Sequence, residues 1–143
     1  MAIKERNQQL RVVAEILTVH IPEQIDQDPE LVRDLLSVAG TALHEIYEDA
    51  EQSAKAWDKR AYHSKADELR RDWDWAAGAS NYALGLALRP QIPGRADIDK
   101  LVRLIRPELE KPARRQISDP VRFRGAAQII KRQQTERRKP LRE

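Results

Sequence analysis

Between Pro29 and Pro90 the chain runs for sixty residues (30–89) without a proline. Proline lacks a backbone donor and its ring clashes with the preceding turn, so it ends or kinks helices. A proline-free stretch of this length permits long helices, and its residues favour them. Asp28-Pro29-Glu30 is a start signal. Asp28 can cap free backbone N–H groups, and Pro29 suits the first helical position, where its missing N–H costs nothing. From there Leu31, Leu35, Leu36, Ala39, Leu43, Ile46, Ala50, Ala54 and Trp57 recur at helical spacing as one apolar stripe. Gly40 is the weak spot, costing about 1 kcal/mol relative to Ala in a helix interior. A second stripe, Tyr62, Ala66, Leu69, Trp73 and Ala76, is rotated from the first by one residue, or about 100°. A straight helix cannot turn both stripes to one core, so the helix bends or bulges near Ala61 and Tyr62. Gly78, Asn81 and Gly85 loosen it near its end.

The flanks read as shorter helices separated by hinges. Leu10, Val13, Ala14 and Leu17 mark a helix over 3–20, which Ile21-Pro22 is expected to break, because the residue before proline is pushed out of the α region. Arg89-Pro90-Gln91-Ile92-Pro93-Gly94 is a linker. Asp97 can cap a short helix carrying Ile98, Leu101, Val102 and Ile105. Pro107 and Pro112 bound an irregular stretch. Ser118-Asp119-Pro120 repeats the start signal for a helix over about 120–138, which Lys139-Pro140 ends. Only five glycines and no cysteine occur in 143 residues. The glycine count disfavours an all-β fold with many tight turns, and without cysteine there is no disulfide framework, thiolate metal site or Cys nucleophile. The expected fold is all-α: a small helical bundle built around a long central helical region, with a basic C-terminal helical arm. The first residues lack the apolar run of a signal peptide. The longest weakly polar run, 76–88, is too short to span a bilayer. A soluble cytoplasmic protein is expected.

The net charge of +3 conceals an asymmetry. Residues 1–110 carry 15 Lys and Arg against 20 Asp and Glu, while residues 111–143 carry 11 against 3. The chain divides into an acidic helical body (1–110, net −5) and a basic arm (111–143, net +8). Such asymmetry points to a polyanionic partner for the basic part. On the last helix Arg124, Lys131 and Arg138 recur every seven residues and share a face, with Gln128 and Thr135 between them. Arg122, Arg132, Arg137 and Lys139 widen the positive surface, and Arg114 and Arg115 lie just upstream. Guanidinium groups grip phosphate oxygens in bidentate fashion. Contacts of this kind position a protein on nucleic acid, RNA or DNA, without reading sequence. One Phe and two Ile supply too little apolar area for a membrane-surface helix.

The aromatic residues cluster elsewhere. Trp57, Tyr62, Trp73 and Trp75 all fall within 56–76, among closely spaced charges. Trp57 and Trp73 fit packing layers of a bundle. Trp75 lies about 200° from Trp73 on a regular helix, so one of the two must meet a second surface. The alternative function is therefore a protein–protein adaptor or a homo-oligomer, with Tyr62 and Trp75 as partner contacts. A nucleobase-stacking platform would use the same aromatics with Lys59, Arg60, Lys65, Arg70 and Arg71. Asp58, Asp67, Glu68, Asp72 and Asp74 cancel those cations along the sequence, which disfavours it.

No motif carries catalysis. His44 with Glu48 and His63 with Asp67 stand at i,i+4, a spacing that suits a surface ion pair as well as a metal. No second ligand pair of a di-iron or zinc motif accompanies them. The glycines match no phosphate loop and no serine sits in a nucleophile elbow. No enzyme activity, catalytic residue, metal or cofactor is expected. The reading is a non-enzymatic accessory subunit of a larger complex, whose arm binds nucleic-acid phosphates.

Overall fold

Asp28 opens the longest helix as expected. In a computed structural model that describes residues 3–105 and 117–138, its carboxylate accepts the Leu31 N–H at 3.2 Å and Pro29 occupies the first turn. This central helix, α3 (Pro29–Lys59), is preceded by α1 (Ile3–Glu15) and α2 (Ile21–Gln24). It is followed by α4 (His63–Trp73), α5 (Trp75–Leu88), α6 (Arg95–Leu104) and α7 (Ala126–Arg138). No strand occurs among the described residues. The protein is an all-α bundle in which α1, α4, α5 and α7 pack against α3.

The bend expected near Ala61 and Tyr62 is a complete reversal. Ala61 takes a left-handed conformation (φ 66), which L-residues adopt at a cost. The chain turns back, and α4 and α5 run antiparallel to α3. Arg70 meets Glu51 at 3.2 Å and Asp58 at 2.9 Å. Further along, the Ser80 hydroxyl donates to the Gly40 carbonyl at 2.7 Å. At the far end the Arg33 guanidinium reaches the carbonyls of Arg89 and Pro90. Gly40 is thereby explained. A Cβ there would lie 2.7 Å from Leu84 Cγ and 3.3 Å from Ala83 Cβ, so a bare backbone permits this close crossing. Ala39, Ala76, Ala79, Ala83 and Ala87 are buried nearby and keep α3 and α5 in tight contact.

Three local expectations need correction. Ile21-Pro22 does not stop the first helix. Residues Ile16–His20 form a π-turn, and helical geometry continues into α2 with Pro22 in its first turn. The wide turn resets the hydrogen-bond register just before Pro22, so the proline sits where it has no donor to lose. Gly78, Asn81 and Gly85 do not loosen α5, which is unbroken to Leu88; the interruption falls earlier, at Asp74. Asp97 does not occupy the cap of α6. Gly94 does, and Asp97 reaches back three residues to accept the Gly94 N–H at 2.9 Å.

Ile16, Ile21, Leu31, Leu35, Leu36, Leu43, Ile46 and Leu101 are fully buried, and Ile117 joins them from beyond the irregular stretch. Each such side chain contributes about 1.5–3 kcal/mol on leaving water. The stretch bounded by Pro107 and Pro112 lies outside the described residues. None of the described helices is long and apolar enough to cross a membrane.

Candidate polyanion-binding arm

Three carboxylates of the body hold the arm. Ile117 is buried, and its N–H donates to Glu15 Oε2 at 2.9 Å. Glu15 also meets His20 Nε2 at 2.5 Å, and both side chains are wholly buried. The five-residue separation matches the i→i+5 hydrogen-bond spacing of the π-turn between them, which brings the two side chains together. Downstream, Asp119 accepts the Val121 N–H at 3.0 Å and starts a short 3-10 turn, Pro120–Phe123. Gly125 then takes φ +92, which breaks the helix expected over 120–138. Beyond it α7 begins afresh at Ala126, under a carboxylate from another helix. Asp34, in α3, accepts the N–H groups of Gly125 and Ala127, each at 3.0 Å. An anion at the N-terminus satisfies orphan donors and the helix dipole together.

This geometry divides the expected phosphate-binding residues. Arg124 lies before α7, so it does not share a helix with Lys131 and Arg138. Its guanidinium pairs with Asp28 at 2.6 Å. The hydrogen bond from Arg124, then the one from Leu31, holds the Asp28 carboxyl below the usual carboxylate range, and Arg124 is raised in turn. Arg122 is exposed, with its guanidinium 4.8 Å over the Phe123 ring. Lys131, Arg132 and Arg137 project from the exposed part of α7, and among the described residues none of them has an ion-pair partner. Arg138 closes α7; its side chain, Arg114, Arg115 and Lys139 lie outside the described residues. A cleft of about 430 Å³ separates the start of α7 from the end of α5, lined by Arg33, Asp34, Leu88, Arg124 and Lys131 among others.

Asp28 was legible as a cap, but its bond to the arm was not. The contacts of Glu15 and Asp34 with the arm join residues 102, 91 and 93 positions apart, beyond the reach of any local pattern. The available signal was a carboxylate inside an apolar stripe: Glu15 between Ala14 and Ile16, Asp34 before Leu35 and Leu36. An acid on a buried face needs a donor from elsewhere in the fold.

The aromatic residues separate as well. Trp73 is buried and Trp75 half-buried, with ring centroids 6.2 Å apart and planes 30° apart. The break at Asp74 lets both rings share a side, which a regular helix forbids. Trp75 Nε1–H donates to the Asp72 carbonyl at 2.9 Å. Tyr62 is 52% exposed and stands edge-on to Trp57, 5.6 Å between centroids. The histidines form pairs: His44 with Glu48 at 3.2 Å, and His63 with Asp58 at 2.8 Å rather than with Asp67. Among the described residues no three His, Cys, Asp or Glu side chains gather as a metal site. No protein-family model, curated protein or solved structure matches this chain.

Proposed function

We propose that the protein is a non-enzymatic accessory subunit of a larger complex, and that its C-terminal arm binds the phosphate backbone of nucleic acid without reading sequence. One observation carries this reading. Lys131, Arg132 and Arg137 stand exposed on α7 without an ion-pair partner among the described residues, while Arg124 is held by Asp28. Exposed cations on one short helix repel each other and leave that repulsion for a polyanion to relieve. Each phosphate they meet releases counterions, which makes such binding steeply dependent on salt. The carboxylates at Glu15 and Asp34 hold the arm by its backbone N–H groups, which leaves these side chains free to face a partner. A cytoplasmic location, where RNA and DNA are both met, belongs to the same proposal. The adaptor alternative has less support at Trp75, whose ring N–H is already hydrogen-bonded.

The test is binding of a labelled single strand to the full chain and to Lys131→Ala/Arg132→Ala/Arg137→Ala across a salt series. Deleting residues 111–143 would also remove buried Ile117 and uncover the core, so substitution is the cleaner perturbation. The triple variant should lower the slope of log affinity against log salt by about 2, at roughly 0.7 per single-strand phosphate contact. An unchanged slope would remove the arm from the account.

A further inference from the structure

The reversal between α3 and α4 gathers an aromatic and cationic patch that the reading of the arm does not use. Tyr62 and Trp57 meet edge to face. The Arg60 guanidinium stands 5.3 Å from the Trp57 centroid and 5.7 Å from that of Tyr62, and Lys65 Nζ lies 4.8 Å from Trp57. Left-handed Ala61 is the only non-glycine with positive φ among the described residues, and Tyr62 beside it is exposed.

Charges that cancel along the sequence are separated in space. Arg70, further along α4, engages Asp58, Glu51 and Asp67 together. His63 also binds Asp58, and the bonds from His63 and then Arg70 hold that carboxyl below its ordinary range. Among the described residues Lys55, Lys59, Arg60 and Lys65 are left without an ion pair at the tip. The exposed acids Glu68, Asp72 and Asp74 lie beyond them on α4 and at its end. The tip is therefore cationic where its aromatic rings are.

We propose that this tip binds single-stranded nucleic acid, with a base stacked on Tyr62 and the flanking phosphates met by Arg60, Lys65 and Lys59. An aromatic face beside uncompensated cations is the recurring platform for single strands, because every base has a face to stack. Protein partners more often bury aromatics in a central apolar pocket. Here the ring is surrounded by charge. The choice of partner class rests on the reading of the arm, but the site is separate. The arm's helix starts at Asp34 and runs beside α3, with Ile129 and Ile130 near Thr41 and Glu45, while Tyr62 and Trp57 stand at the far end of α3. The two sites use different cations, so substituting those of the arm isolates the tip.

The experiment uses fluorescein-labelled pentauridylate and an abasic pentamer of equal phosphate number, read by anisotropy at about 50 mM salt. The background is the full chain carrying Lys131→Ala/Arg132→Ala/Arg137→Ala, so that the tip is measured without the arm. Pentauridylate should bind about tenfold more tightly than the abasic pentamer. Tyr62→Ala should abolish that preference and Tyr62→Phe should keep it. Ultraviolet crosslinking of pentauridylate to the wild-type chain, mapped to Tyr62 or Trp57, reads the same contact without a substitution at the tip. Equal affinity for the two probes, or a preference that survives Tyr62→Ala, overturns the proposal. So does a concentration-dependent dimer that Tyr62→Ala abolishes while no oligonucleotide binds, which would assign the ring to a protein contact. If wild type and the triple variant bind pentauridylate equally and with base preference, the tip stands and the arm does not.

Discussion

Glu15 and His20 meet at 2.5 Å, five residues apart and wholly buried, and the same carboxylate oxygen accepts the N–H of Ile117. One side chain thereby joins the π-turn to the segment that begins the arm. The body and the start of the arm are coupled through the interior. Removing Glu15 should act on both. Glu15→Ala leaves a buried ring nitrogen and a buried backbone donor without their acceptor, and should cost about 3 kcal/mol or more. Glu15→Gln keeps an oxygen in place and should cost less. Urea unfolding measures both; equal losses would mean that volume, not hydrogen bonding, governs the site.

Asp34 should act more locally. It caps α7 from another helix through Gly125 and Ala127. Asp34→Ala should destabilise the fold by about 1–2 kcal/mol, the range of a lost cap. Hydrogen exchange should accelerate in the first turn of α7 more than in α3. Uniform acceleration through both helices would contradict a local role.

Gly40→Ala sets two effects against each other. Alanine gains about 1 kcal/mol of helix propensity over glycine. Its Cβ would also fall 2.7 Å from Leu84 Cγ, and overpacking costs about 1–3 kcal/mol. Net destabilisation is expected, and Gly40→Ala in a Leu84→Ala background should be less harmful than in the wild type. A stabilised Gly40→Ala single variant would show that α5 can shift freely.

Acid should weaken the body through its depressed carboxyls. Asp28, Asp58 and Asp97 are held below their ordinary range by, in order of first cause, Arg124, His63 and the Gly94 N–H. A lowered folded value stabilises above the unfolded value of about 3.9 and is lost as pH falls through the folded value. Stability should therefore fall as pH drops below about 4. Asp28→Asn should destabilise more at neutral pH than in acid, where the stabilisation from the lowered Asp28 carboxyl is lost as pH falls below the unfolded value. A pH-independent difference would exclude the ionic contribution of the Asp28–Arg124 pair.

What the sequence disclosed follows from the range of each interaction. The cap at Asp28, the stripe of α3 and an interruption near Ala61 depend on neighbours within a few residues, and periodicity exposes them; that the interruption is a full reversal rests on contacts of α4 and α5 with α3 far along the chain. Gly40 looked like a defect because its reason, Leu84, stands 44 positions away. Pro22 looked like a stop because the π-turn that accommodates it has no local signature. In the arm, the seven-residue recurrence of Arg124, Lys131 and Arg138 assumed one continuous helix, and Gly125 interrupts it. The pairing of Arg124 with Asp28 spans 96 positions, so no local pattern separated it from the unpaired cations.

That separation is the central claim: cations without a partner carry the binding, and the paired one does not. Single-strand affinity should be measured against salt for the wild type, Arg124→Ala and Lys131→Ala/Arg132→Ala. The account predicts that Arg124→Ala retains the wild-type slope, while Lys131→Ala/Arg132→Ala lowers it by about 1.4, two contacts at roughly 0.7 each. An unchanged slope in Lys131→Ala/Arg132→Ala, or no binding by the wild type at about 0.1 M salt, would contradict it.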